Sequence, residues 1–123
     1  MTAEAALDRL VDAITTGDAD AVRALYHPDA RIWHNFDQVE QTVDENLLTL
    51  AWMIEQLPER RYEQIVRWPI DGGTVQQHVL RGTTAGGVDV DMPACLFAWV
   101  DGDRITRIEE YVDTAQAAAL RGT

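Results

Sequence analysis

The spacing of apolar residues divides the chain into a helical first half and a β-rich second half. Over residues 3–16 an apolar side chain recurs every three or four positions, which predicts a helix with one buried face. The Gly17-Asp18 pair suits the end of that helix and the start of a second one, whose buried face includes Leu25 and Tyr26. Two short helices in succession are therefore predicted.

A third helix has the clearest boundaries. Thr42 and Glu45 match a capping box, in which the threonine oxygen and the glutamate side chain each satisfy a free amide at the helix start. The helix is expected to end at Leu57, because Pro58 cannot follow it as helix.

A short strand is predicted between the second and third helices, over residues 31–36, which are rich in β-formers. Alternation along a strand puts Ile32, His34 and Phe36 on one face. Trp33 then lies on the opposite face. Polar His34 and Asn35 interrupt an otherwise apolar segment. Burying polar groups without a partner is costly, so these two residues are candidates for a functional site.

The second half of the chain changes to a β pattern. Four segments follow, separated by Gly-rich breaks that are typical of hairpin turns: residues 61–70, 74–83, 88–100 and 104–112. Pro93 lies within the third segment and predicts a bulge or an edge there, because it cannot donate to a ladder. Three helices and a short strand before a four-stranded antiparallel meander make an α+β chain. No linker interrupts it, so residues 1–123 are expected to form one domain.

The net charge of the chain limits the kinds of molecule that it is expected to bind. The chain has 21 acidic and 10 basic residues, and its net charge of −11 would repel phosphate backbones and anionic lipids. Neither a nucleic acid nor a membrane is therefore an expected partner. All ten basic residues are Arg, which excludes a Schiff-base lysine. Cys95 is the single cysteine, and residues 1–4 lack the features of a secretion signal, so a cytoplasmic location is expected.

Two segments carry a resemblance to a known family: residues 26–33 (YHPDARIW) and 102–113 (GDRITRIEEYVD). Together with the element order, they resemble the SnoaL-like branch of the nuclear transport factor 2-like superfamily. The resemblance implies a cone-shaped, curved and mostly antiparallel sheet wrapped around three N-terminal helices, with a pocket for a small apolar molecule. It also implies a homodimer built on the outer sheet face, for which Val79, Phe97, Trp99 and Tyr111 are the candidate residues.

Two enzymes of that superfamily can be compared with this chain residue by residue. In the resemblance to ketosteroid isomerase, His34 falls where that enzyme has its aspartate base, and Cys95 or Leu96 falls near the oxyanion-hole acid. In the resemblance to limonene epoxide hydrolase, Trp33 and Asn35 fall where a tyrosine and an asparagine hold the attacking water. Glu110 falls at the aspartate base of the same enzyme.

The resemblance to polyketide cyclases implies one acid or base in an apolar pocket, acting on an acidic carbon without a metal or cofactor. His34, His78 and Glu110 are the candidate catalytic residues. Glu110 faces the pocket only in one of two possible strand registers, and Glu109 faces it in the other. The candidate substrate-binding residues are Trp33, Asn35, Phe36, Trp52 and Cys95. The three histidines lack paired ligand spacing, so no zinc site is expected.

These observations favour a cofactor-independent enzyme or small-molecule binder that performs proton transfer on an apolar substrate, as an isomerase or cyclase does. Two alternatives remain open at the level of sequence. One is a non-catalytic ligand-binding or association domain, and the other is an activity like that of an epoxide hydrolase. A cavity that opens beside His34 and Glu110 would distinguish an enzyme or binder from an association domain with a filled core.

Overall fold

Ten helices and strands follow one another along residues 1–120, which are the residues described by the structure, a computed structural model. Their bounds are α1 Ala3–Thr16, α2 Ala19–Leu25, β1 Tyr26–His34, β2 Glu40–Gln41, α3 Val43–Gln56, β3 Glu59–Ile70, β4 Gly73–Thr83, β5 Asp89–Asp101, β6 Arg104–Val112 and α4 Thr114–Leu120. Neither β2 nor α4 was expected from the sequence pattern. No helix in this part of the chain is long and apolar enough to cross a membrane.

The first three helices begin at side chains that accept backbone amides. Asp18 caps α2, as predicted, and Thr2 caps α1. At the start of α3 the capping box of Thr42 and Glu45 is complete, because both of its hydrogen bonds are present. Helix α1 ends before Gly17, whose φ of 77° lies in the left-handed region that favours glycine. These local signals fix the helix ends because they satisfy backbone groups that the helix itself leaves unpaired.

The six strands form one curved sheet in the order β2-β1-β6-β5-β4-β3. Strands β3 to β6 pair antiparallel in sequence order, which confirms the predicted meander. Strand β1 pairs parallel with β6 and brings His34 opposite Glu110. The helices pack against one face of the sheet, here called the concave face, and the opposite face is called the convex face. This is the α+β cone that the resemblance implies.

Strand β1 starts earlier and ends earlier than the sequence pattern predicts. It begins at Tyr26, whose apolar spacing also fits the second helix, because α2 ends at Leu25 and Tyr26 pairs with Ile105 of β6. The strand ends at His34, so Phe36 lies in the turn that follows. Pairing with a strand far away along the chain sets the start of β1, and local spacing carries no information about that pairing.

The bulge predicted at Pro93 is absent, although the edge predicted there is present. Strand β5 continues through Pro93, which pairs with Val79 of β4. Pairing with β6 begins only at Ala94, and the carbonyl oxygen of Pro93 accepts the amide of Asp113 beyond the end of β6. The nitrogen of a strand residue points to the same side as its carbonyl. The missing N–H of Pro93 therefore falls where β5 has no ladder partner.

Alternation along the long strands decides which side chains face the helices. On β4, Gln76, His78 and Leu80 are buried, whereas the residues between them are less buried and face outward. Strand β5 repeats the pattern, with Leu96 and Ala98 among its buried positions. Of these concave-face residues, Leu80, Leu96 and Ala98 belong to one apolar core with α1, α2 and part of α3.

Candidate functional site

A cavity of about 460 Å³ lies between the helices and the concave face. Most of its wall is apolar and includes Leu7, Leu10, Ile32, Met53, Leu96 and Ile108. Leu48 and Trp52 also line the cavity, although they are 74% and 39% exposed, so they mark its open side. The volume falls within the range of roughly 300–1,000 Å³ that is typical of small-molecule pockets.

One carboxylate lies between two imidazoles in this cavity. Glu110 Oε1 is 3.3 Å from His34 Nε2, and Glu110 Oε2 is 3.7 Å from His78 Nε2. His34 reaches Glu110 from the adjacent strand β1, whereas His78 reaches it from β4, across β5. The residue of β5 that pairs with His78 is Ala94, whose small side chain leaves room for this approach.

The two histidines respond to this carboxylate in opposite ways. Burial lowers the pKa of His34, but contact with Glu110 and the charges of Glu110 and Asp37 outweigh burial, so the pKa lies above its usual value. Burial also lowers the pKa of His78, and there the charge of Glu110 does not compensate, so the pKa stays below its usual value. His34 is therefore the imidazole that can carry a proton near neutral pH.

Glu110 is ionised in this arrangement. Burial on its own would raise the pKa of this carboxyl, but the hydrogen bond with His34 and the charge of His34, the largest opposing causes, hold the pKa below its usual value. A buried carboxylate is tolerated when charged or polar groups compensate its desolvation. The site consequently presents an ionised carboxylate beside the His34 imidazole inside a mainly apolar wall.

Phe36 and Trp52, two of the predicted substrate-binding residues, line the same cavity as the three candidate catalytic residues. The Phe36 ring stacks on the His34 ring, with their centroids 5.0 Å apart. The structure thus places His34, His78, Glu110, Phe36 and Trp52 around one space.

Three other predicted site residues lie elsewhere. Trp33 faces the convex side and packs edge-on against Tyr111, because it alternates with the inward-facing Ile32 and His34. Cys95 also lies on the convex side, since its neighbours Ala94 and Leu96 take the buried positions of β5. Neither of these two side chains lines the cavity.

Asn35 has a structural role instead of contacting the cavity. Its side-chain amide donates to the carbonyl oxygen of Val112 at 3.2 Å, and its Oδ1 accepts the amide of Val112 at 2.9 Å. These two bonds continue the pairing of β1 with β6 past the end of β1. The pair of residues that the resemblance to limonene epoxide hydrolase assigned to holding water, Trp33 and Asn35, is therefore not in the cavity.

The register of β6 is also settled. Glu110 lines the cavity, whereas Glu109 lies on the convex side and pairs with Arg107 at 2.7 Å. The period of two along the strand makes these assignments exclusive.

Polar residues that the sequence did not single out line other parts of the cavity. The hydroxyl of Tyr26 donates to Asn46 at 3.0 Å, Asn46 donates to Gln41 at 3.1 Å, and Gln41 donates to Thr49 at 2.8 Å. This chain ties β1, the β2 segment and α3 together on one side of the cavity. Asn46 is buried on α3 together with the apolar residues Val43 and Met53, so its position on the helix and not its residue type places it at the cavity.

Tyr62 on β3 is a second residue that the sequence analysis missed. Its ring is 4.9 Å from that of His78, and it lines the cavity. Burial, followed by the charge of Glu110, raises the pKa of the Tyr62 phenol, so its hydroxyl keeps its proton. That hydroxyl makes no hydrogen bond to another side chain or backbone group within residues 1–120. Tyr62 can therefore donate to a ligand.

The group of two histidines and one carboxylate raises the question of a metal. Among the described residues, no three His, Cys, Asp or Glu side chains are arranged to hold a metal ion. In this site the imidazole nitrogens point at the carboxylate oxygens themselves.

Comparison with known proteins identifies what this architecture is similar to. The profile of a family described as a SnoaL-like domain matches residues 7–108. No match is found among curated proteins.

Several solved structures have the same fold. IdmH of Streptomyces antibioticus, a candidate polyketide cyclase, matches with a TM-score of 0.85 and 18% identity over 100% of both chains. A candidate polyketide cyclase of Pseudomonas putida KT2440 matches with a TM-score of 0.82 and 20% identity over 98% of both chains. A ketosteroid isomerase-like protein of Catenulispora acidiphila DSM 44928, solved with trimethylamine, matches with a TM-score of 0.83 and 15% identity over 100% of this chain and 99% of that one. At such identities the likeness establishes the fold alone.

Proposed function

The chain belongs to the SnoaL-like domain family, and from that premise we propose that it is a cofactor-independent enzyme that moves a proton on a small, largely apolar molecule, as an isomerase or cyclase does. One observation carries the proposal. A carboxylate, Glu110, lies between two imidazoles inside an apolar cavity large enough for such a molecule. A closed core would need no such group, because burying a carboxylate is costly.

In this proposal His34 is the base and Glu110 orients it. Because Nε2 of His34 faces the carboxylate, Nδ1 remains as the basic nitrogen of the neutral ring. The carboxylate stabilises the imidazolium that forms when Nδ1 takes a proton from carbon. The raised pKa of His34 brings it closer to neutral pH, where general base catalysis is efficient.

When the proton comes from a carbon next to a carbonyl group, its removal leaves an enolate. The oxygen of that enolate needs a hydrogen-bond donor. The Tyr62 hydroxyl is the donor that the cavity offers, and such donors act strongly where water is excluded. In an isomerisation, imidazolium returns the proton to a different carbon of the same molecule. In a cyclisation, the enolate carbon forms a bond to a carbonyl carbon of the same molecule, and the resulting alkoxide takes the proton back. Both outcomes leave the enzyme unchanged.

The test uses a probe that needs no knowledge of the natural substrate. In D₂O, exchange of the α-hydrogens of 2-tetralone, an apolar ketone, reports proton removal from carbon and is followed by ¹H NMR. The wild type is expected to accelerate this exchange over buffer. His34→Ala, which removes the base, is expected to reduce the acceleration by a factor of about 10² to 10⁴, the usual contribution of acid–base catalysis. Glu110→Gln, which removes the group that orients the base, is expected to reduce it as well.

Glu109→Gln is the matched control, because it makes the same change one residue away on the convex side. It should exchange the ketone at the wild-type rate. If 2-tetralone binds, as shown by chemical-shift changes of the cavity residues, and the wild type exchanges it no faster than buffer does, the enzymatic function is wrong. Ligand binding without catalysis would then be the remaining function.

A further inference from the structure

Gln76 has a fully buried side-chain amide that contacts His78, on the side of the ring away from Glu110. It lies on β4 two positions before His78, on the same concave face, with no exposed surface. Its Nε2 is 2.9 Å from His78 Nδ1, and its Oε1 accepts a hydrogen bond from Arg67 Nε at 2.8 Å. Both the oxygen and the nitrogen of this amide therefore have a hydrogen-bond partner.

The chemistry of Arg67 fixes the direction of these bonds. A guanidinium has only donors, so the atom of Gln76 that faces Arg67 is the carbonyl oxygen. The NH₂ group must then face His78, and Nδ1 of His78 must accept from it. A neutral imidazole that accepts at Nδ1 carries its proton on Nε2. That Nε2 is the atom directed at Glu110 Oε2.

Arg67 is itself held by α1. Its Nη1 donates to Asp8 Oδ1 at 2.6 Å and approaches the carbonyl oxygen of Glu4 at 3.4 Å. The side chain of Arg67 is only 12% exposed, whereas that of Asp8 is 67% exposed. A continuous series of contacts thus runs from the surface of α1 through β3 and β4 to the carboxylate in the cavity.

We propose that Arg67 and Gln76 are positioning residues that lock His78 as a neutral imidazole with its proton on Nε2, so that of the two histidines beside Glu110 only His34 takes up the proton of the reaction. The assignment of the reaction rests on the proposed function, but the state of His78 does not. A second proton on His78 Nδ1 would face the NH₂ group of Gln76, and the two donors would repel each other.

The other groups around His78 are consistent with this lock. Glu110 on β6 is the anion that favours a protonated ring, and Arg67 on β3 is a cation that opposes it. Tyr62, also on β3, is a neutral phenol beside the ring. His34 on β1 competes for the same carboxylate. Burial and Arg67 together keep the pKa of His78 below its usual value.

The experiment is ¹⁵N NMR of the histidine rings in the full chain without ligand, titrated with pH, because ring ¹⁵N shifts distinguish protonated from unprotonated nitrogens. In the wild type, His78 should show a protonated Nε2 and an unprotonated Nδ1. It should remain neutral to a lower pH than His34 does.

Gln76→Glu tests the lock with almost no change in size. A carboxylate at this position accepts where the amide donated, so His78 Nδ1 should become protonated and the titration of His78 should move to higher pH. Gln77→Glu is the control, since it adds the same charge on the neighbouring, outward-facing residue. That variant should leave the tautomer of His78 unchanged.

The proposal is overturned if wild-type His78 carries its proton on Nδ1, or if Gln76→Glu and Gln77→Glu give the same His78 titration.

Should Gln76→Glu not fold, Arg67→Met replaces it. The amide of Gln76 is then free to turn, and a mixture of both His78 tautomers is expected. A single Nε2–H tautomer in Arg67→Met would remove Arg67 from the proposal. A purely structural role for Gln76 would lower stability without changing the tautomer. Failure of the 2-tetralone assay leaves these readouts unaffected.

Discussion

The same residue type has a different environment on each face of the sheet. Glu109 and Glu110 are adjacent on β6, yet Glu109 forms a partly exposed ion pair with Arg107 on the convex face, and Glu110 lies between two imidazoles in the cavity. An exposed ion pair contributes roughly 0–1 kcal/mol to stability, and solvent screens it. A carboxylate in an apolar cavity changes the protonation of every group that it contacts. Position relative to the sheet, and not residue type, gives Glu110 its chemistry.

Aromatic residues show the same contrast. On the convex face, Trp33 packs against Tyr111, and Phe97 stacks with Trp99 at a centroid distance of 6.1 Å. In the cavity, the Phe36 ring stacks on His34 and orients a titratable group. An aromatic residue on the convex face contributes contact area, whereas one that lines the cavity shapes the site.

The largest expected difference between the faces is in stability. Ile105 on β6 is fully buried in the core, so Ile105→Ala should lower the free energy of unfolding by about 2–5 kcal/mol, through lost burial and the cavity left behind. Val79→Ala on the convex face of β4 should lower it by about 1 kcal/mol or less. Urea denaturation followed by circular dichroism measures both. Equal losses would mean that the convex face is as tightly packed as the core.

A smaller effect is expected in the pH dependence of stability. The pKa of Glu110 is lowered, so its contribution is present above the usual 4.5 and is lost as pH falls through the folded-state pKa. The pKa of His34 is raised, so its contribution is present below the usual 6.5 and is lost as pH rises through the folded-state pKa. Both contributions are complete only between these two values.

The stability difference between the wild type and Glu110→Gln should therefore be largest between pH 4.5 and 6.5 and should shrink on both sides. Denaturant titrations across this range measure it. Glu109→Gln should show no such maximum, because its ion pair with Arg107 is partly exposed. A difference that stays constant with pH would show that Glu110 and His34 are not coupled.

The smallest effect on the monomer is expected on the convex face, where we propose that two copies of the chain meet. Tyr111 is close to half exposed there, and Phe97 and Trp99 on the adjacent strand β5 are partly exposed, so three of the four predicted interface residues lie on this face. Tyr111→Glu should convert a dimer into a monomer in sedimentation velocity, while lowering the free energy of unfolding of the monomer by about 0.5–1 kcal/mol through its lost contact with Trp33. Leu48→Glu, at the cavity opening, should leave the dimer intact. A wild type that sediments as a monomer at high micromolar concentration would contradict the proposal.

Part of the candidate site could be predicted from the sequence because its signals were local. Polar His34 in an apolar strand, and a choice between Glu109 and Glu110 at the end of β6, are visible in the alternation of residues. Gln76 could have been found by the same argument, since it shares a face with His78 two positions away. Asn35 misled the interpretation, because a polar residue beside a candidate base can also bond to the backbone of another strand, as it does here with Val112.

The sequence by itself determined the helix ends, the hairpin turns and the alternation of faces, because caps, glycines and the period of two act over a few residues. Only the tertiary structure decided which alternating positions meet. The parallel pairing of β1 with β6 brings His34 to Glu110, and the order of the meander brings His78 to the same carboxylate across β5. These contacts join residues that are 76 and 32 positions apart, from 34 to 110 and from 78 to 110. Such distant pairings depend on the burial of whole strands against the helices, and no local pattern encodes that burial.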